Sequence, residues 1–152
     1  MKFTTPVLIP LSNIIISHNQ PLLLLGSCFS QNIGTKLVEN KFDVHINPNG
    51  IIYNPVSIFN SLKRIFNNEL YTKNDLTEFN NKWISFNHHG SFSSSGVNEC
   101  LEKINSSFKN AKQQLNDCKT IFITFGSAWV YEYPEFGIVA NCHKIPNKQF
   151  TK

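Results

Sequence analysis

Residues 22–34 read Leu-Leu-Leu-Leu-Gly-Ser-Cys-Phe-Ser-Gln-Asn-Ile-Gly, and the fold class turns on this stretch. Four consecutive leucines between Pro21 and Gly26 have the length of a fully buried strand, although leucine alone does not exclude a helix. From Phe29 the pattern becomes helical. Ile33 and Leu37 fall four apart, with Lys36, Glu39 and Asn40 toward solvent. Gly34 inside that helix costs about 1 kcal/mol relative to alanine and implies close packing. A buried strand that stops at a glycine and hands over to a helix opens an α/β unit.

Working outward, residues 43–46 read as a second short strand, followed by the strong turn chemistry of Asn47-Pro48-Asn49-Gly50. Pro55 suits the first turn of a helix running to Asn67, with Phe59, Leu62 and Phe66 as its apolar stripe. Residues 68–96 are mixed and polar, with a strand expected over 83–86 before His88-His89-Gly90 and a run of serines. Val97, Leu101, Ile104, Phe108, Ala111 and Leu115 are spaced four, three, four, three and four, the clearest amphipathic helix in the chain. Residues 120–125 read as a buried β-branched strand ending at Gly126. Residues 129–133 and 138–140, joined through Pro134-Glu135-Phe136-Gly137, suit a hairpin. Residues 143–152 read as the start of another helix, and residues 7–16 as an extended stretch broken by Pro10. Strand and helix in this order predict a parallel sheet with helices on both faces. Ligands of such sheets bind beyond the carboxyl ends of the strands. That singles out Gly26-Ser27-Cys28, residues 47–54 and Gly126-Ser127.

Composition narrows the rest. At 152 residues and 41% hydrophobic, the chain has the size of one ordered domain and is not a disordered one. Four cysteines are too few for a disulfide scaffold. No run of about 18 apolar residues is present, so no membrane span is expected. Residues 1–6 lack the basic-then-apolar pattern of a secretion signal, and the expected compartment is the cytoplasm. The net charge of +4 is carried on scattered lysines, Arg64 being the single arginine. Nucleic-acid readers lean on arginine, so no nucleic-acid partner is expected. No cofactor is called for. Cys142-His143 with His88-His89 does not have the spacing of a zinc motif, so no metal is expected. Cys100 and Cys118 read as packing residues. Trp83, Trp129 and the thirteen phenylalanines read as core more than as a stacking platform.

Cys28 is the residue that could carry chemistry. It sits two positions after a glycine, at an expected helix N-terminus, where free backbone N–H groups and the helix dipole stabilise an anion. The same donors can hold a developing oxyanion. The alternative is a small buried hydrophobe, the usual role of a free cysteine.

Gly26-Ser27-Cys28-Phe29-Ser30 resembles the signature of the GSCFA domain family. The resemblance continues through residues 47–55, through 83–93 with Phe86, His88, His89 and Phe92, and through 123–131. It ends on Asn141-Cys142-His143-Lys144-Ile145-Pro146 and Phe150, and it runs in order from Phe3. That family is grouped with the SGNH, or GDSL-like, hydrolases. The resemblance therefore implies a three-layer α/β/α fold with a parallel sheet and hydrolysis of ester or acyl bonds in a small-molecule or acylated substrate. It aligns Gly26 with the signature glycine, Ser27 with its aspartate and Cys28 with the nucleophile, Ser27 being the alternative nucleophile. It gives Gly50 and Cys28 as backbone oxyanion donors. It places Gly26, Asn54, His88, His89, Gly126, Trp129, Asn141 and His143 around the pocket.

The chain departs from the superfamily pattern twice. Ala128 stands where an asparagine side chain would donate to the oxyanion, and no Asp-x-x-His supplies a base. A substitute base would come from His18, His45, His88, His89 or His143, with His143 and the His88-His89 pair favoured. The missing block implies that residues 1–152 are an N-terminal portion of the domain, incomplete at its C-terminus. Such a chain would be poorly soluble or self-associating, and inactive alone. The alternative function is a catalytically inactive ligand- or partner-binding module of the same fold.

Overall fold

The computed structural model describes residues 5–152. The start of the resemblance at Phe3 and the first four residues of the expected unsignalled N-terminus lie outside them. The described residues form a mixed α/β structure: β1 (Leu22–Gly26), α1 (Cys28–Glu39), β2 (Val44–Ile46), α2 (Pro55–Asn67), β3 (Thr77–Phe79), β4 (Lys82–Ile84), α3 (Val97–Asp117), β5 (Thr120–Thr124), β6 (Tyr131–Tyr133) and β7 (Gly137–Val139). Three strands make a parallel sheet in the order β2-β1-β5. The pairs β3-β4 and β6-β7 are separate antiparallel hairpins. Among the described residues no helix is long and apolar enough to cross a membrane.

The leucine run is the centre of the sheet, and all four side chains are buried. Leu23 and Leu25 pack with Ile58 of α2 and Leu115 of α3. The register pairs Leu24 with Ile46, so strand alternation turns those two to the opposite face. There the Ile46 side chain lies against Gly34 of α1, the close approach expected of a glycine inside a helix. A second cluster joins Cys100, Ile104, Phe108 and Ala111 of α3 to Ile65, Tyr71 and Leu76. A third joins Ile84 and Phe86 to Val139 and Ile145. Cys100 is therefore a packing residue, and Cys118 packs at the edge of the sheet cluster.

Several expectations change. On α2 the inward residues are Ser57, Ile58, Ser61 and Ile65, while Phe59 and Phe66 of the expected stripe stand in solvent. Polar partners rotate the helix: Asn54 caps it by accepting the Ser57 N–H at 2.7 Å, and the Ser61 hydroxyl donates to buried Asn49. β5 is an edge strand of this sheet, and Ile121 and Ile123 remain about two-fifths exposed. The strand at 83–86 is shorter, and it pairs with β3 across Asn80 and Asn81, both at positive φ. Residues 143–152 form only a single 3-10 turn, Asn147–Gln149, because His143 and Lys144 take positive φ and Thr151 pairs with Glu132. The stretch over 7–16 takes part in no regular element, with Val7, Leu8, Ile9, Leu11, Ile14 and Ile15 exposed and Ile16 half-buried. Trp83 is half-buried against the α3 cluster, whereas Trp129 is exposed and not core.

Candidate functional site at the first strand-to-helix turn

β1 stops where Gly26 takes φ +125, a conformation that L side chains rarely adopt. A Cβ there would overlap the Thr124 carbonyl. Asn47 stitches the turn to the neighbouring loop: its Oδ1 accepts the Gly26 N–H at 2.8 Å, its Nδ2 donates to Gln31 Oε1 at 3.1 Å, and its N–H donates to Leu24 O at 2.8 Å. Ser27 is the N-cap of α1. Its N–H reaches Thr124 O at 3.1 Å, and its buried hydroxyl accepts the Phe29 N–H at 3.3 Å and lies 2.9 Å from Thr124 Oγ1. Ser30 completes this hydroxyl cluster, 2.8 Å from Thr124 Oγ1 and donating to Leu25 O at 3.0 Å.

Cys28 follows at the first position of α1, and it is exposed. Among the described residues its N–H has no acceptor. The other two expected strand ends meet the same turn. Ile52 N–H donates to Gly26 O at 3.0 Å, and Gly126 and Ser127 donate to Tyr53 O at 3.0 and 3.3 Å. Gly50 sits at φ +76 against His89, and its N–H closes the 47–50 turn by donating to Asn47 O at 2.7 Å. That N–H thus has an acceptor inside its own loop.

A cavity of about 360 Å³ opens beyond these strand ends, walled by Asn54, His89, Trp129 and Asn141 together with Tyr53 and Ser127. Four of the residues expected around a pocket are therefore brought together. A second cavity of about 500 Å³ shares His89 and Asn141 and adds His143. Gly26, Gly126, His88 and Cys28 line neither.

The histidines divide by surroundings. His88 is almost wholly buried, with Nε2 3.2 Å from the Asn49 amide nitrogen and Nδ1 2.8 Å from Ser85 Oγ. Because the amide nitrogen donates, Nε2 accepts and Nδ1–H donates to the serine. Burial pushes its pKa down to about 3, so the ring is neutral. His89 is exposed and accepts the Ser91 N–H at 3.2 Å. His143 donates Nε2–H to Ser85 O at 2.8 Å, and burial lowers its pKa below the ordinary imidazole value. His18 bonds Asn40 O at 3.0 Å and stacks on Phe42. His45 is half-buried on β2, and burial lowers its pKa as well. None of the five hydrogen-bonds to Cys28.

Of the residues that build this turn, Thr124 escaped the sequence reading, whereas Asn47 lies in the 47–54 strand end it singled out. Thr124 gathers Ser27 and Ser30, and the Asn47 amide locks Gly26. Nothing in local sequence marks Thr124, because its partners lie 94 and 97 residues away. Among the described residues no group of three or more His, Cys, Asp or Glu side chains could hold a metal ion.

Sheet and turn together define an α/β domain that carries an exposed cysteine at the first strand-to-helix turn, beyond the carboxyl end of its central strand. The chain belongs to the GSCFA family, whose family model matches residues 21–152. No curated protein and no solved structure matches it.

Proposed function

We propose that this GSCFA domain is an SGNH-like, three-layer α/β/α hydrolase of ester or acyl bonds, with Cys28 as its nucleophile. The observation that carries the reading is the placement of an exposed thiol on a rigid glycine turn at a helix N-terminus. Helices on opposite faces of the sheet support the layer order. In the reaction, the Cys28 thiol gives up its proton to water as its Sγ adds to the carbonyl carbon. The C–O bond breaks, the leaving alkoxide takes up a proton, and water hydrolyses the thioester to a carboxylate and the restored thiol. The Cys28 N–H supplies an oxyanion donor. Ser27 is the weaker nucleophile candidate, because its hydroxyl is buried and engaged in capping. Free cysteines throughout suit a reducing compartment such as the cytoplasm.

A second reading, a binding module of the same fold, rests on the donors. The Gly50 N–H is taken by Asn47 O, and Ala128 offers no side-chain donor. Loss of one oxyanion donor typically lowers kcat by about a hundredfold or more. Hydrolysis of a short-chain ester panel by the wild type, Cys28→Ala and Ser27→Ala separates the two readings. Turnover lost only in Cys28→Ala supports the hydrolase. No turnover by the wild type favours the module.

A further inference from the structure

We propose that the cavity beside the Asn141–Lys144 turn, which shares His89 and Asn141 with the cavity beyond the strand ends but is not lined by Cys28, binds a small polyhydroxylated anion. At about 500 Å³ it has the size of a small-molecule pocket. Lys82 and Lys144 stand at its wall, and no aspartate or glutamate lines it among the described residues. Neither lysine takes part in an ion pair among those residues. Two cations in a concave site without a carboxylate attract an anion.

The remaining wall suits hydroxyl groups. His143 commits Nε2–H to Ser85 O, and its Nδ1 lies on the Gly90 side of the cavity. Asn80 and Ser93 add side chains that both donate and accept, while Ile84 gives a carbon skeleton an apolar surface. The turn that carries His143 and Lys144 is held from within. The His143 N–H donates to Asn141 Oδ1 at 2.8 Å and the Ile145 N–H to Cys142 O at 2.9 Å, and His143 and Lys144 are both at positive φ. Left-handed backbone at two consecutive non-glycine residues costs free energy and clusters at ligand sites.

Heteronuclear NMR titration of the full chain with glycerol 3-phosphate, gluconate and glycerol tests this. The expected result is saturable shifts at His143 and Lys144 with one or both anions and none with glycerol. Replacing Lys82→Gln and Lys144→Gln together, with spectral dispersion retained, weakens binding about tenfold, as added salt also does. Binding of glycerol 3-phosphate alone, displaced by inorganic phosphate, makes the ligand a phosphorylated polyol; binding of gluconate alone makes it a sugar acid. Absence of saturable shifts with both anions, equal shifts with glycerol, or unchanged affinity in the double-lysine variant would overturn the proposal.

Discussion

Ser27 turns its hydroxyl inward, onto Thr124 Oγ1 and the Phe29 N–H, whereas Cys28, one residue later, stands in solvent at the start of α1. The two are therefore separable by mutation. Ser27→Ala removes an N-cap, and we expect a loss of about 1 kcal/mol in urea unfolding. Alkylation of Cys28 should be unchanged in the same variant. His88 gives a pH prediction. Its pKa is about 3 in the fold against 6.5 in an unfolded chain, so the unfolded state binds a proton that the folded state excludes. The stability tied to this neutral ring is fully present above pH 6.5 and declines as pH falls toward 3. Between pH 6.5 and about pH 5 the loss is roughly 2 kcal/mol. His143 and His45 are shifted in the same direction and add to it. Comparing the wild type with His88→Gln isolates this residue, because the variant's curve is flatter by that amount. An equal slope in both proteins would contradict the assignment.

At the scale of elements, α1 comes close to β2 at Gly34, which has no side chain. A Cβ on Gly34 would come within 2.7 to 3.1 Å of three Ile46 atoms, closer than a packed core accommodates without a shift. Gly34→Ala gains helix propensity but meets this overlap, and we expect a net destabilisation of about 1 kcal/mol in urea unfolding. Adding Ile46→Val should recover part of it. This contact also shows what the sequence could reveal. Gly34 in a helical run announced a close approach, and the Leu22–Gly26 run between Pro21 and the Gly26-Ser27-Cys28 turn announced a buried strand. Both signals are local. On α2 the phenylalanines misled, because Asn54 capping and the Ser61–Asn49 bond set the rotation, and that choice is tertiary. β3 was invisible for a related reason. Its three residues have no apolar period, and its turn uses Asn80-Asn81 in place of a glycine. At the site, the strand ends and the exposed Cys28 were legible. The His88-His89 doublet was not, because only the fold buries the first ring and exposes the second.

At the scale of the whole molecule, the sheet exposes apolar surface at one side. β5 lies at its edge, with Ile121, Ile123 and Phe125 all partly in solvent. An edge strand of this kind pairs with other chains. We expect concentration-dependent self-association in sedimentation velocity, with Ile123→Lys weakening it about tenfold. Association unchanged by that substitution would move the contact elsewhere. That Cys28 is the nucleophile at the first strand-to-helix turn is tested by trapping the acylated protein. Intact protein is quenched in acid during exposure to an activated short-chain ester and mapped by peptide mass spectrometry. The acyl group should sit on the peptide containing Cys28, be released by hydroxylamine, and disappear in Cys28→Ala while persisting in Ser27→Ala and Cys142→Ala. Acylation of Cys28→Ala at the wild-type level and position would contradict the claim.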